Sequence, residues 1–387
     1  MAKKVDAKLI MLDHSKAKVE LYSTYLSVYL NILSRVSFVN KIHLFDLMCG
    51  EGIYADNSKG SPIQAMETIK NHYFSNGKSS PNMDIWFNDK DKSEIEKDKN
   101  KIERVQEACS KLFKPSNVNV KYTQNDYLTI QPQIKTELEK LKKLRGSEKA
   151  LLFVDPYGYK EVKPSHMRDF LECGHSEVIL FLPISHMYRF ANKSLNEDFP
   201  GGEPLERFLL ELFGDDKPEY SCVRTFIDAI KTSFRARLKD LKIYVDTFSI
   251  ERDSSNTYCL FFFTSHVKGF EAMLDSKWKL DEQQGNGFRI EKSGNLFGTT
   301  LEFDYPDKLK EYIKEKGTVT NANLYLFGLE NGYLPTHTVT VLKSWQKELP
   351  KFKVTMENGG IARKGTFKVN YDAYAGKEHV LNFSFEK

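Results

Sequence analysis

"HLFDLMCGEGIYAD", residues 43–56, is the stretch on which the fold turns. An apolar run closes on Asp46, and Gly50 and Gly52 follow it. A short apolar run bounded by glycines reads as a buried strand entering a tight turn. In an open, mostly parallel sheet, such a turn lies beyond the carboxyl end of a strand, where ligands bind. Its meaning depends on whether the rest of the chain builds that sheet, and on what stands at the other strand ends.

The pattern on either side predicts the sheet. Residues 16–35 repeat apolar side chains at three- and four-residue steps and form an amphipathic helix. "SPIQAMETIKNHYF" (61–74) is a helix with Ser61 as its cap and Pro62 in its first turn. "MDIWFND" (83–89) is a second strand, followed by a charged surface helix over 92–113 with a Val105, Ala108, Leu112 stripe. "VNVKYTQND" (118–126), "ALLFVDPYGY" (150–159) and "SEVILFLPIS" (176–185) are further strands, separated by helices at 131–144 and 164–173. This alternation predicts a Rossmann-like, doubly wound α/β sheet. A helical insertion spans about 186–241, with a loop at "FPGGEP" (199–204). Two strands then run through 242–265 about a polar turn at Asp253–Asn256 and close the far edge of the sheet. A helix at 268–278 and a glycine-rich boundary loop at 284–298 complete a first domain over 1–304.

Residues 305–387 read as a small α+β domain. Three helical segments, within 307–317, 320–332 and 336–350, precede a strand–turn–strand pattern about an Asn-Gly-Gly turn in "KFKVTMENGGIARKGTFKVN" (351–370). Three helices and a β-hairpin predict a winged helix-turn-helix. This segment holds 13 Lys/Arg against 9 Asp/Glu and so carries the whole of the +4 formal charge. A mildly basic module on a neutral body points toward nucleic acid as a partner. Lys343 and Lys347 on the expected recognition helix, and Arg363 and Lys364 on the expected wing, are the candidate phosphate contacts.

Composition narrows the classes. A chain of 387 residues that is 40% hydrophobic has ample apolar content for a packed core. No apolar run approaches the roughly 20 residues of a membrane span, and residues 1–18 lack the pattern of a secretory signal. Five scattered cysteines, Cys49, Cys109, Cys173, Cys222 and Cys259, fit a reduced, cytoplasmic chain without a structural zinc. His166, His175 and His186 show no metal-ligand spacing, so no metal is expected.

An acid closes each of four consecutive strands: Asp46, Asp89, Asp126 and Asp155. Gly50-x-Gly52-x-x-Ala55 nominally matches a dinucleotide fingerprint, which should open a helix directly so that its N-terminus meets the pyrophosphate. Eight residues, "IYADNSKG", instead separate Gly52 from Ser61, and Asp89 lies 37 residues beyond Gly52 rather than about 20. S-adenosylmethionine (SAM), which has no phosphate, suits the pattern better. Asp46 holds its methionine end, and Cys49, Gly50 and Gly52 let it lie against the backbone. Asp89 takes both ribose hydroxyls, and Asp126 accepts from the adenine amine.

"DPYG" (155–158) stands where chemistry would occur. Amino-methyltransferases carry a D/N-P-P-Y/F turn after the fourth strand, whose acid and proline carbonyl accept from an exocyclic amine while the aromatic ring stacks on the base. Asp155, Pro156 and Tyr157 supply the acid, the proline and the aromatic, although Tyr157 stands where the second proline would be. Catalysis of this kind is mostly positioning. "ISHMYRF" (184–190) follows the fifth strand, and His186, Tyr188 and Arg189 are candidates to gate substrate or contact a phosphate. His14 and Lys16, ahead of the first helix, have two readings, the mouth of the cofactor or substrate site and solvent exposure, and the second is the one expected.

The chain resembles the three-Cys-motif partner family (TcmP) in "FDLMCGEGIY…GSPIQAMETI", "LLFVDPYGYKEV", "SEVILFLPISHMYRF" and "YCLFFFTSHVKGFEAMLDSKW". The resemblance spans nearly the whole chain. It implies a class I SAM-dependent methyltransferase fold with a C-terminal winged helix, and a separate radical-SAM-like partner protein that carries the cysteine triad. Cys49 stands where many members have a small residue such as Ala. The leading expectation is a SAM-dependent methyltransferase acting on a nucleic-acid base amine. The alternative is a non-catalytic SAM-fold scaffold that presents nucleic acid or that partner enzyme.

Overall fold

The computed structural model describes residues 9–76, 81–156, 158–196, 202–215, 218–253, 256–281, 287–289 and 304–386. Its first elements are α1 (Asp13–Leu33), β1 (Lys41–Asp46), α2 (Ser61–Asn76), β2 (Asn82–Asn88), α3 (Lys101–Ser110), β3 (Val118–Thr123), α4 (Tyr127–Leu141), β4 (Glu148–Val154), α5 (Pro164–Leu171) and β5 (Ser176–Leu182). They continue with α6 (Ile184–Asn196), α7 (Glu203–Phe213), α8 (Val223–Arg237), β6 (Tyr244–Asp253), β7 (Asn256–Thr264), α9 (Val267–Leu280) and β8 (Gly287–Arg289). The last are α10 (Tyr305–Lys316), β9 (Thr318–Thr320), α11 (Asn321–Glu330), α12 (Pro335–Glu348), β10 (Phe352–Met356), α13 (Tyr371–Tyr374) and β11 (Leu381–Phe385).

Eight strands form one sheet in the order β3-β2-β1-β4-β5-β7-β6-β8. β1 is central, paired in parallel with β2 on one side and β4 on the other over its full length. Ile42, Leu44, Phe45 and Asp46 of this strand are buried, while Lys41 and His43 are partly exposed. The chain reverses at β7, which runs antiparallel to β5 and takes β6 as its outer neighbour. This is the Rossmann-like methyltransferase fold, with the short strand β8 added outside β6. The strand order changes direction between β1 and β4, so the crevice beyond their carboxyl ends is the switch point at which such sheets bind ligands. Behind it, Leu152, Val154, Leu180, Leu182 and Phe261 are buried in one continuous core.

Three elements differ from expectation. The helix read over 92–113 is only α3, because side chains upstream of it satisfy the backbone locally. Asp89 accepts from the Asp91 N–H at 2.9 Å, and the Ser93 hydroxyl oxygen accepts from the Ile95 and Glu96 N–H groups at 3.0 and 2.9 Å. Asn100 then starts the helix, its N–H bonded to Glu103 at 2.7 Å. The third and fourth strands end at Thr123 and Val154, earlier than read. Residues 199–201 of the "FPGGEP" loop and most of the 284–298 boundary loop fall outside the described residues.

The chain divides into two compact units. Residues up to Ala272, with β8, form the first, and residues from Met273 on form the second. In the second, β9 and β10 flank β11 in a three-stranded antiparallel sheet. Tyr305, Leu309, Ile313, Leu324, Leu342 and Phe383 are buried there. The expected 351–370 hairpin is corrected: β10 pairs with β11, residue Phe352 opposite Phe385 and Met356 opposite Leu381. The Asn-Gly-Gly turn closes on itself through the Met356 N–H to Gly360 O bond at 2.7 Å, and the chain then takes a long excursion before returning. Asn321 anchors that excursion by donating to the carbonyls of Lys368 and His379, each at 3.2 Å.

Among the described residues no helix is long and apolar enough to cross a membrane.

Candidate functional site

The glycine loop is held from behind by α3. Gly50 and Gly52 have φ of +69° and +74°, the left-handed region that side chains disfavour. A Cβ on Gly52 would meet Val105 of α3 at 3.0 Å. Between the glycines, buried Glu51 pairs with Arg104 at 2.5 Å and accepts from the Ser93 hydroxyl at 2.9 Å. Arg104 also donates to the carbonyl of Ile53 at 3.1 Å. Cys49 is buried, its N–H donates to Asn88 O at 3.0 Å, and burial pushes its thiol well above the ordinary range. It is a packing residue of the loop rather than a reactive one.

The eight residues after Gly52 are a gap in sequence and not in space. Gly60 returns to donate to Gly52 O at 2.6 Å, and the Tyr54 N–H bonds to Ser58 O at 3.0 Å, which closes the excursion into a loop. α2 therefore starts beside the glycine turn after all. Its first turn is nevertheless unsuited to a pyrophosphate: Gly60, Ser61 and Pro62 are buried, and Pro62 has no N–H to offer. Ser61 instead points its hydroxyl at Asp46, donating to Oδ2 at 2.6 Å.

Asp46 is fully buried, and its other oxygen, Oδ1, has no hydrogen-bond partner among the described residues. Burial is the main cause that pushes its carboxyl up to about 8, and Asp155 and Asp89 add to the rise while Ser61 and Lys18 oppose it. The phenol of Tyr22 is buried near this carboxylate, also with no partner among the described residues. Two orphaned polar atoms at the carboxyl end of β1 call for a polar partner or water, and neither residue belongs to the lining of the cavity beside them.

A cavity of about 640 Å³ opens at these strand ends. That is within the range of small-molecule and cofactor sites, roughly 300–1,000 Å³. Leu47, Met48, Asn88 and Asp89 line one side, and Pro156, Gly158 and Tyr159 another. Asp89 is buried; its Oδ2 accepts from the Gly50 N–H at 2.9 Å and Lys101 lies 3.8 Å from Oδ1. Burial raises its pKa, and Lys101 works against that rise. Asp91, the other acid here, pairs with Lys101 at 3.0 Å. Asn88 fastens the strand ends, donating to the carbonyls of Leu47 and Asn125 at 3.0 Å each and accepting from Thr123 at 2.9 Å.

Asp126 is a correction. It ends no strand; it is the N-cap of α4, accepting from the Leu128 N–H at 2.9 Å, and it pairs with Lys90 at 3.0 Å. Its neighbour Asn125 faces the cavity. The spacing that put Asp126 at a strand end is equally the spacing of a helix cap, and the backbone N–H groups of α4 are the nearer donors.

Asp155 is held by Lys18 of α1, the ammonium bonded to Oδ2. Tyr157 lies outside the described residues. On the α6 side, His186 and Arg189 line the cavity, and Tyr159 and His186 meet at 3.4 Å between hydroxyl and Nδ1. Tyr188 does not line it: its hydroxyl donates to Ser221 O at 3.0 Å and its ring packs on Tyr220 and Phe226. Helical spacing explains the difference, since residues 186 and 189 share a face that 188 does not.

The far wall is one that sequence reading missed. Asn256, Thr257 and Tyr258 of β7 line it, with Thr257 tied to the Ser185 hydroxyl at 2.7 Å. Tyr258 stacks between His14, at 4.5 Å and 3°, and Phe181, at 5.3 Å and 12°. His14 is thus buried against the wall and not solvent-exposed. Lys16 does face solvent, paired with Asp13 at 3.2 Å. The signal was present in α1 as His14, Lys18, Tyr22, Tyr25 and Tyr29, polar side chains recurring at three- and four-residue steps on the buried face.

In the second unit Lys343 and Lys347 are exposed on α12, four residues apart, and Arg363 and Lys364 are exposed on the loop after β10. Gly365 donates to the side chain of Gln346 of α12 at 2.9 Å, which fixes that loop to the helix carrying the lysines. Among the described residues no group of three His, Cys, Asp or Glu side chains is placed to hold a metal ion.

No family model matches the chain, and no curated protein matches it. Among solved structures it is similar to Trm1 from Pyrococcus horikoshii in complex with S-adenosyl-L-methionine, at 12% identity and a TM-score of 0.34. The alignment covers 74% of this chain and 65% of that one.

Proposed function

We propose that the chain is a SAM-dependent methyltransferase whose acceptor is a nucleic-acid base amine. The observation that carries the reading is the pair of unsatisfied, buried polar atoms, Asp46 Oδ1 and the Tyr22 hydroxyl, under a left-handed glycine loop at the sheet's switch point. A carboxylate in that position suits an ammonium group, and a loop of two glycines lets a ligand lie against backbone. SAM would bring an ammonium to Asp46 and a ribose toward Asp89, with adenine between Asn88 and Asn125. What it supplies when bound is a methyl group on a cationic sulfur.

Asp155 and Pro156 would receive the acceptor amine, Asp155 as an anionic acceptor and Pro156 through its carbonyl. Tyr159, His186 and Tyr258 offer aromatic surface for a base, and Arg189 a cation for its phosphate. The second unit is read as a winged helix, since its helices and three-stranded sheet occur in the order α-β-α-α-β-β with a one-turn helix before the last strand. Its exposed Lys343, Lys347, Arg363 and Lys364 suit phosphate contact.

The test is incubation of the full chain with methyl-labelled SAM and separate DNA, tRNA, rRNA and protein pools, with Asp155→Ala as control. Label in one nucleic-acid pool, reduced at least a hundredfold by Asp155→Ala, is the expected result. Label in protein alone would move the acceptor class. A well-folded chain that binds SAM yet labels nothing would support a scaffold.

A further inference from the structure

We infer that Lys18 is a positioning residue of this site, acting through Asp155: it aims that carboxylate while cancelling its field on a cationic donor. The inference rests on the proposal that Asp155 receives the acceptor amine beside SAM.

Lys18 is 8% exposed, and its ammonium is bonded to Asp155 Oδ2 while lying 4.5 Å from the centre of the Phe181 ring. A buried ion pair gains little for the fold, because removing both charges from water costs about as much as their attraction returns. An apolar residue on the inner face of α1 would pack against Phe181 without that cost. The pair also stands among acids: Asp155 and Asp89 both bear on Asp46, and Lys18 is the cation that opposes them there. Three carboxylates thus act on one another at the ends of β1, β2 and β4, with Lys18 brought among them by a separate element, α1.

The physical reason for such a cation follows from what a methyl donor is. A bare carboxylate facing a sulfonium stabilises the bound donor, and that stabilisation is lost as charge leaves sulfur, so it raises the barrier. With Lys18 on Oδ2, Asp155 is close to neutral toward the donor, yet Oδ1 remains to accept from an amine. The same contact fixes the carboxylate's orientation, because Lys18 is itself held between Asp155 and Phe181.

SAM carries the sulfonium charge and S-adenosylhomocysteine (SAH) does not, so their affinity ratio reads the field at the donor directly. Calorimetric titration of the full chain with each compound, in wild type, Lys18→Met, Lys18→Arg and the Lys18→Met/Asp155→Asn double variant, tests the inference. Lys18→Met is expected to shift the ratio toward SAM by about tenfold. Lys18→Arg should keep the wild-type ratio within about twofold, and the double variant should return to it. Lys18→Gln carries the same expectation if Lys18→Met does not fold. A role in packing alone would change both affinities together, and that result, or an unchanged ratio, overturns the inference. Wild type that binds neither compound overturns the SAM reading itself, a separate outcome visible before any variant is made.

Discussion

At the scale of single residues, the acids read from strand ends turn out to do different work. Asp46 is buried under the glycine loop, Asp89 braces that loop through the Gly50 N–H, Asp155 is paired with Lys18, and Asp126 caps a helix. Their order along the chain was legible because each strand ends where its apolar run ends. Their roles were not, because a carboxylate at a βα junction serves as helix cap or ligand contact at the same spacing. The glycines are more constrained. Gly52→Ala sets a Cβ at 3.0 Å from Val105 in a left-handed conformation, and should cost roughly 2–3 kcal/mol in urea unfolding. It should weaken SAM binding further than that loss of stability accounts for, since the loop itself shifts.

At the scale of elements, the sheet was readable and its far wall was not. Alternating apolar strands and helical periods predict β1 to β5, and the β6–β7 hairpin joins the sheet beside β5 as its pattern implies, although β8 and not β6 forms the edge. α1 reads as an ordinary amphipathic helix, since Tyr and Lys side chains contribute to apolar faces through their rings and stems. Only the fold reveals that this face turns His14 toward Tyr258 and Lys18 toward Asp155. His14→Ala removes one ring of the three-ring stack and should loosen the cavity wall, raising the KM for the acceptor while leaving SAM affinity within about twofold. In the second unit, the β10–β11 pairing escaped local reading because its partners lie far apart in sequence. If α12 and the loop after β10 meet phosphates, the double variant Lys343→Glu/Lys347→Glu should weaken nucleic-acid binding and lower its salt slope by about 2. Fluorescence anisotropy across a salt series checks this, and an unchanged slope would remove α12 from the interface.

At the scale of the whole molecule, two buried acids set a direction for stability against pH. Burial pushes Asp46 up to about 8 and Glu177 up to about 7, the latter held by the Tyr25 hydroxyl and by Thr264 at 2.7 Å. Both pKa values are raised above the unfolded carboxylate range, so the folded chain keeps protons that the unfolded chain releases. Their contribution to stability is therefore fully present below about pH 4, is lost as pH rises through the window from about 4 to 8, and is gone above it. Glu177→Gln should flatten the lower part of that slope and Asp46→Asn its upper part, as read from melting temperatures across pH. A ligand ammonium at Asp46 favours the ionised carboxylate, so SAM should protect most strongly near the top of the window.

The proposal on which the others rest is a SAM site in the crevice at the switch point, lined by Leu47, Met48, Asn88 and Asp89 beside the Gly50–Gly52 loop. Calorimetric titration of the full chain with SAM, beside NAD as the competing ligand, measures it most directly. Saturable binding of one SAM per chain, weakened at least tenfold by Asp46→Ala, is expected, with no heat from NAD. A folded chain that takes up NAD, or that gives no heat with SAM, would contradict it.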